Sequence, residues 1–293
     1  MTHMDAIELL SPELIRDKPE LTRLVLEAQE TFNHPFGWHY LLDYIWVLDR
    51  AQGLPPGSLI LDAGAGQGML QAMLAGMGHR VISADFSPRV PRPVYAEHCT
   101  IVTAHSGDAI DHAYLEHLRA AYPGQTPPAA RLAPDDLTRL FADEGADIVY
   151  YTADIGHMPQ VPDRCLDAVV SISALEHNDH AGVRRAVSEL TRTLKPEAAM
   201  WITVSAARDA DWYHEPSKGW CFSEKSLTAL FGLDAPQSNF ADFDRIFALL
   251  RQGEGLKERL APFYFASGQN GMPWGVWDPQ YQPVGVARRL PPT

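Results

Sequence analysis

Five short runs of the chain are largely apolar on both alternating faces, the pattern of strands buried on both sides. They are Leu59–Ala63, Arg80–Ala84, Asp147–Tyr151, Leu166–Ile172 and Ala199–Ser205. Amphipathic segments lie between some of them. Leu70, Met73, Leu74 and Met77 recur at helical spacing after the first run, and Val183, Ala186, Val187, Leu190 and Leu194 do so after the fourth. Strands covered on both sides by helices build a mostly parallel sheet, so the pattern predicts an open α/β domain.

The flanks and one internal stretch depart from this rhythm. Residues 1–56 read as a helical N-terminal cap: Leu21, Leu24, Val25 and Ala28 share a helical stripe, an aromatic-rich segment runs from Trp38 to Arg50, and Pro55-Pro56-Gly57 closes it. The main domain then spans 57–293. Between Asp85 and the strand ending at Tyr151 lie about 60 residues, more than one crossover helix needs. This stretch reads as an insertion near 86–146, either a surface elaboration or a lid. It holds a possible strand at Cys99–Ala104, a helix near Asp108–Ala121 and a Pro-rich break at Pro123–Pro128. Residues 212–293 carry half of the chain's aromatic residues, and rings that dense must be buried or bind something. Within that part, Asn239–Arg251 reads as a helix, Gly268–Gly275 as a turn-rich loop and Pro283–Leu290 as a last strand.

Charge excludes some partners. Lys and Arg number 24 against 37 Asp and Glu, a net charge of −13. Such a surface gains nothing from counterion release and is repelled by anionic lipid, so neither nucleic acid nor membrane is expected as a partner. Cys99, Cys165 and Cys221 form no C-x-x-C pair, which suits the reducing cytoplasm better than a disulfide framework or a zinc knuckle. Met1–Asp5 begins no secretory pattern, and no run reaches the roughly 18 apolar residues of a membrane span.

The most specific local signal is Leu59-Ile60-Leu61-Asp62-Ala63-Gly64-Ala65-Gly66-Gln67-Gly68. A buried strand turns through three glycines and enters a helix over Gln67–Met77, whose N-terminal N–H groups favour an anionic ligand group. Glycine lets a ligand lie across the turn without meeting a side chain. A dinucleotide fingerprint would place its third glycine at position 69, which is Met69 here, so the spacing disfavours a nicotinamide cofactor. The second strand ends in Asp85, 21 residues after Gly64, where a carboxylate can accept both hydroxyls of a ribose. Its bland alternative is a helix N-cap before Ser87-Pro88.

In order after Asp85 come Tyr151-Thr152-Ala153-Asp154-Ile155 with Met158-Pro159, then Ser173-Ala174-Leu175-Glu176-His177 at the end of the fourth strand, then Leu194-Lys195-Pro196. Strand, D-x-G-x-G-x-G and this succession over residues 57–205 resemble the class I S-adenosylmethionine-dependent methyltransferases. The resemblance implies a Rossmann-like fold with S-adenosyl-L-methionine as cofactor and S-adenosyl-L-homocysteine as product. It implies cofactor contacts from Asp62, Gly64, Ala65, Gly66, Asp85, Phe86 and Ser173, with Asp154 receiving the adenine amino group and Ile155 packing on the ring. One departure is Glu197-Ala198, where the family commonly has two glycines after Lys-Pro.

Methyl transfer is an in-line displacement, helped chiefly by alignment, and needs a base only where the nucleophile arrives protonated. His177, just past the fourth strand, and His214, within Asp211-Trp212-Tyr213-His214-Glu215, are the catalytic candidates, with His39 and His157 behind them. Ser173–Glu176 also fits a capping box, which would give Glu176 a structural job. Trp38, His39 and Tyr40 are candidates to close over the cofactor. His177-Asn178-Asp179-His180 and His105, Asp108, Asp111 and His112 have no recognised metal spacing, so no metal is expected. The expected activity is methylation of a small-molecule acceptor at oxygen or nitrogen. Two alternatives share the cofactor: an enzyme that transfers or cyclises its aminocarboxypropyl arm and releases methylthioadenosine, and a non-catalytic cofactor-binding subunit. Acceptor identity and oligomeric state are not legible.

Overall fold

The computed structural model describes residues 5–35, 37–107, 120, 131–260 and 276–292. Strand β1 (Ala6–Leu9) leads into helices α1 (Glu13–Asp17), α2 (Pro19–Thr31) and α3 (Tyr40–Ala51). The alternating part follows as β2 (Leu59–Ala63), α4 (Leu70–Gly76), β3 (Arg80–Asp85), α5 (Pro93–Ala96), β4 (Ile101–His105), α6 (Arg139–Asp143), β5 (Ile148–Thr152), β6 (Leu166–Ile172), α7 (His180–Thr193) and β7 (Leu194–Ala206). A hairpin of β8 (Trp212–His214) and β9 (Gly219–Phe222), helix α8 (Glu224–Phe231), β10 (Gln237–Ser238), helix α9 (Phe243–Gln252) and β11 (Gln282–Arg289) complete the chain.

The strands lie side by side in the order β10-β1-β11-β7-β6-β2-β3-β5-β4. From β7 to β4 every pairing is parallel, and β11 runs antiparallel between β7 and β1. Chain order reverses at β2, which has β3 on one side and β6 on the other, so a crevice opens there at the carboxyl ends of the strands. Register brings those ends level: Asp62 stands opposite Ser83 and Val170, and Asp85 opposite Thr152.

One apolar layer forms on each face. Val183, Val187 and Leu190 of α7 and Leu227 and Phe231 of α8 belong to one; Leu41, Ile45 and Leu48 of α3 and Leu70 and Leu74 of α4 belong to the other. Helix α3 lies so close to β11 that a Cβ at Gly285 would meet the Trp46 ring at 2.3 Å. The same indole donates from Nε1 to Glu8 of β1 at 2.9 Å, with the Arg50 guanidinium 3.7 Å over its ring.

Several expectations change in detail. The cap read as helical over 1–56 opens with β1, a sheet strand too short at four residues to show a period. The insertion contributes β4 as an edge strand, Ile101 opposite Ile148. The helix expected near 108–121 falls outside the described residues except for Ala120, and Pro123–Pro128 and Gly268–Gly275 fall wholly outside them. Helix α4 starts at Leu70 rather than Gln67, because the glycine turn continues to Gly68. Strand β7 begins five residues early and runs through Lys195-Pro196, with a register shift against β6 between Leu166 and Ala168.

Candidate active site

A cavity of about 990 Å³ occupies the crevice at the chain reversal. That volume lies at the top of the range for small-molecule sites, with room for a second molecule beside a nucleoside. Its lining includes all nine residues expected to hold the cofactor: Asp62, Gly64, Ala65, Gly66, Asp85, Phe86, Asp154, Ile155 and Ser173. They arrive from the ends of β2, β3, β5 and β6, so parallel register is what gathers them.

The glycine turn is held from several sides. Gly64 has φ 70, and a Cβ there would fall 2.5 Å from Ala174 Cβ, which restricts the position to glycine. Gly66 has φ 51 with open space where a Cβ would sit, and its N–H donates to Asp85 Oδ2 at 2.8 Å. Asp85 Oδ1 accepts from the Ser87 N–H at 2.7 Å. This turn, and not an N-cap, is the structural work of Asp85, since Arg92 holds the N-cap position of the next helix. Met69 donates its N–H to the Tyr44 hydroxyl at 3.3 Å.

Beneath the turn lies a buried charge set. Arg89, 4% exposed, donates to the Gly66 carbonyl at 3.1 Å and to Ser83 Oγ at 2.8 Å, bonds the Ser83 carbonyl, and lies over the Tyr150 ring. Asp62 is 2% exposed, and among the described residues its Oδ2 has no hydrogen-bond partner. Burial pushes the Asp62 carboxyl up to about 7; Arg89 opposes this and Asp85 adds to it.

At the rim, Phe86 is 79% exposed, an apolar ring offered to whatever fills the cavity. Asp154 Oδ1 accepts from the Gly156 N–H at 2.7 Å, and Oδ2 lies 3.6 Å from Arg185. Ser173 has φ 48, a left-handed conformation that turns the chain out of β6 and along the cavity wall.

The two catalytic candidates part company. His177 lines the cavity, with Nδ1 3.0 Å from the Lys218 carbonyl. A carbonyl only accepts, so Nδ1 carries the proton and the neutral ring keeps its lone pair on Nε2. His214 is not among the lining residues. It is 4% exposed, with Nδ1 2.7 Å from Ser217 Oγ and its ring against Tyr281, and burial lowers its proton affinity. Linear distance from a strand end does not tell which way a side chain faces, and in the β8–β9 hairpin His214 faces inward. The capping box is also revised: Ala174, not Ser173, holds the N-cap position of the short turn at Leu175–His177, with no side-chain cap bond, and the Ser173 hydroxyl donates to Glu176 Oε1 at 2.6 Å instead.

Sequence reasoning missed His34, Tyr44, Arg89 and Arg185 in the lining. Tyr40 and Tyr44, one helical turn apart in α3, were the available signal for that wall. His34 is pushed down to about 4 by burial and by Arg92, so it stays neutral near pH 7 and is a poor base. Among the described residues no cluster suits a metal ion, and no helix is long and apolar enough to cross a membrane.

With this geometry in view, residues 109–202, about a third of the chain, match the family model described as a methyltransferase domain. The match begins beyond the glycine turn. No curated protein matches the sequence. Among solved structures, the 1,6-didemethyltoxoflavin-N1-methyltransferase of Burkholderia thailandensis, bound to 1,6-didemethyltoxoflavin and S-adenosylhomocysteine, is 13% identical, with 94% of this chain and 90% of that one covered and a TM-score of 0.43. The cyclase SpnF is 14% identical over 98% and 99% of the two chains, with a TM-score of 0.47. The phosphoethanolamine N-methyltransferase 2 of Haemonchus contortus, in complex with S-adenosyl-L-methionine, is 14% identical over 96% of this chain and 60% of that one, with a TM-score of 0.45. Strand order defines the class: this is an open, mostly parallel α/β protein with its crevice at the chain reversal, and residues 109–202 within it match a methyltransferase-domain model.

Proposed function

We propose that the chain is an S-adenosyl-L-methionine-dependent methyltransferase of a small-molecule acceptor, acting at oxygen or nitrogen and releasing S-adenosyl-L-homocysteine. The observation that carries the reading is the convergence in one cavity of the unpartnered Asp62 carboxylate oxygen, the Gly64–Gly66 cradle and Asp85. These groups fit the three parts of that cofactor. Asp62 Oδ2, buried without a donor, suits an ammonium group. Asp85 uses one lone pair of each oxygen for backbone N–H groups and keeps the others for ribose hydroxyls. Phe86 and Ile155 offer apolar faces to an adenine, and Asp154 an acceptor to its amino group.

Bound there, the cofactor supplies an electrophilic methyl group on a sulfonium. The chain's own task is to align an acceptor with it, a proximity effect worth several kcal/mol at about its best. His177 takes the acceptor's proton on Nε2, while the Lys218 carbonyl holds the ring by Nδ1. An acidic surface and the aromatic wall of Tyr40 and Tyr44 favour a neutral or cationic, partly apolar acceptor.

The test is mass spectrometry of protein incubated with S-adenosyl-L-methionine, with and without a metabolite extract, scoring both nucleoside products. S-adenosyl-L-homocysteine formed only with extract supports methyl transfer. Methylthioadenosine formed by the enzyme would overturn it in favour of attack on the aminocarboxypropyl arm. Tight cofactor binding with neither product would leave a binding subunit.

A further inference from the structure

We propose that Glu176 is a positioning residue for His177, its buried carboxylate stabilising the imidazolium that His177 becomes on taking the acceptor's proton. The inference rests on the reading of His177 as the base. Glu176 is 2% exposed, Oε1 accepts from the Ser173 hydroxyl at 2.6 Å, and among the described residues Oε2 has no hydrogen-bond partner. A carboxyl buried with half its acceptor capacity unused costs stability. Oε2 does not cap the turn at Leu175–His177, whose N-cap position is Ala174 with no side-chain cap bond and which packs through Leu175.

The hairpin passes beside both side chains. A Cβ at Gly219 would lie 3.2 Å from Glu176 Cγ and 3.7 Å from His177 Cε1, so the start of β9 presses on both. The preceding residue, Lys218, supplies the carbonyl that fixes His177 Nδ1, while its ammonium pairs with Glu215 at 2.6 Å.

Three titratable groups face Glu176. His177 lies on its own turn and His39 at the N-cap of α3; Cys221 on β9 has its thiol pushed up by burial and by Glu176. His39 is itself held by Asp43 at 2.5 Å. Burial pushes the Glu176 carboxyl up, and the charge of His177 is the strongest opposing influence, ahead of the Ser173 bond, Glu176's own backbone N–H and His39. A protonated His177 therefore favours the ionised form of Glu176, the counter-charge a base needs while it carries a proton.

The proton balance is simple. The acceptor's X–H bond breaks and its proton goes to Nε2; the X–C bond forms as the S–C bond breaks. The ring's positive charge then faces Glu176 until the proton leaves to solvent from the exposed face of His177.

The experiment is an NMR pH titration of His177 Cε1–H in the ligand-free protein, the resonance being assigned by its loss in His177→Asn. Glu176→Gln is expected to lower the midpoint of His177 by about one unit, a tenfold loss of proton affinity. Ser173→Ala, which removes the bond that helps ionise Glu176, is expected to shift it in the same direction by less. A midpoint unmoved in folded Glu176→Gln overturns the proposal. Should that variant not fold, Ser173→Ala decides by the same criterion. Where turnover is measurable, the acid limb of kcat/KM should move down with the midpoint and the plateau should fall about tenfold; an unmoved rate profile overturns the catalytic role. Because the titration needs no cofactor, a shifted midpoint without methyl transfer separates failure of the functional reading from failure of this one.

Discussion

The Gly66 amide donates to the Asp85 carboxylate at 2.8 Å, so the residue proposed to hold a ribose also sets the shape of the glycine turn. Asp85→Ala would leave the Gly66 and Ser87 N–H groups without their acceptor. Hydrogen bonds to a charged group are each worth about 1.5–3 kcal/mol, and the remnants are partly hydrated at the cavity edge. The variant is expected to melt roughly 5–10 °C lower and to bind S-adenosyl-L-methionine at least about a hundredfold more weakly. Asp85→Asn, which keeps one acceptor oxygen, should fall between. Scanning fluorimetry and calorimetric titration check both.

Asp62 sets a pH dependence of opposite sign for stability and for binding. Burial holds its carboxyl near 7 in the folded chain, above the ordinary 3.8. The folded state thus keeps this proton longer than the unfolded one. The cost of the buried charge is absent below about pH 4, grows up to about pH 7 and is constant beyond. Asp62→Asn should raise the melting temperature of the ligand-free protein at pH 8 and change it little near pH 4. Cofactor affinity should instead be lost in that variant. In the unaltered protein, affinity should rise about fivefold between pH 6 and 7, as the carboxylate that receives the ammonium forms. Flat affinity over that interval would count against Asp62 as the ammonium site.

What the sequence disclosed follows from burial and locality. β2 and β6 were legible to the residue because both faces are covered and apolar residues fill most positions on both, interrupted only by Asp62, Asp167 and Ser171. β1, β8 and β9 have three or four residues each, and their identity as strands depends on partners far away in the chain. At the site, Asp62, Gly64 and Asp85 sit in local motifs. Arg89 does not: its place under the Gly66 carbonyl is set by the path of the chain after β3, which no local spacing records. His177 and His214 looked alike as residues following strands, and only the hairpin geometry separates the one on the cavity from the one behind it.

Gly285 and Gly76 should respond to alanine in opposite directions. At Gly285 a Cβ would meet the Trp46 ring at 2.3 Å, and that indole is pinned by Glu8 and Arg50. Overpacking of this kind costs about 1–3 kcal/mol, and here the strand and helix share the burden. Gly285→Ala should therefore lower the melting temperature by several degrees. At Gly76 nothing lies within 4 Å of the new Cβ and the backbone is helical, so Gly76→Ala should stabilise by about 0.5–1 kcal/mol. Paired denaturant melts decide both.

Glu197 stands in β7 at φ 61, beside the register shift against β6, with its side chain exposed. A left-handed conformation costs an L-residue roughly 1–2 kcal/mol, whereas glycine adopts it freely at an entropic cost of about 0.5–1 kcal/mol. The difference favours glycine, the residue the resembled family commonly has after Lys-Pro. Glu197→Gly is expected to stabilise the chain by about 0.5–1 kcal/mol, a rise of roughly 2 °C, without altering cofactor affinity, since the position is not part of the cavity lining. A melting temperature that falls in this variant would mean that the β7 bulge relaxes differently and that Glu197 carries no strain.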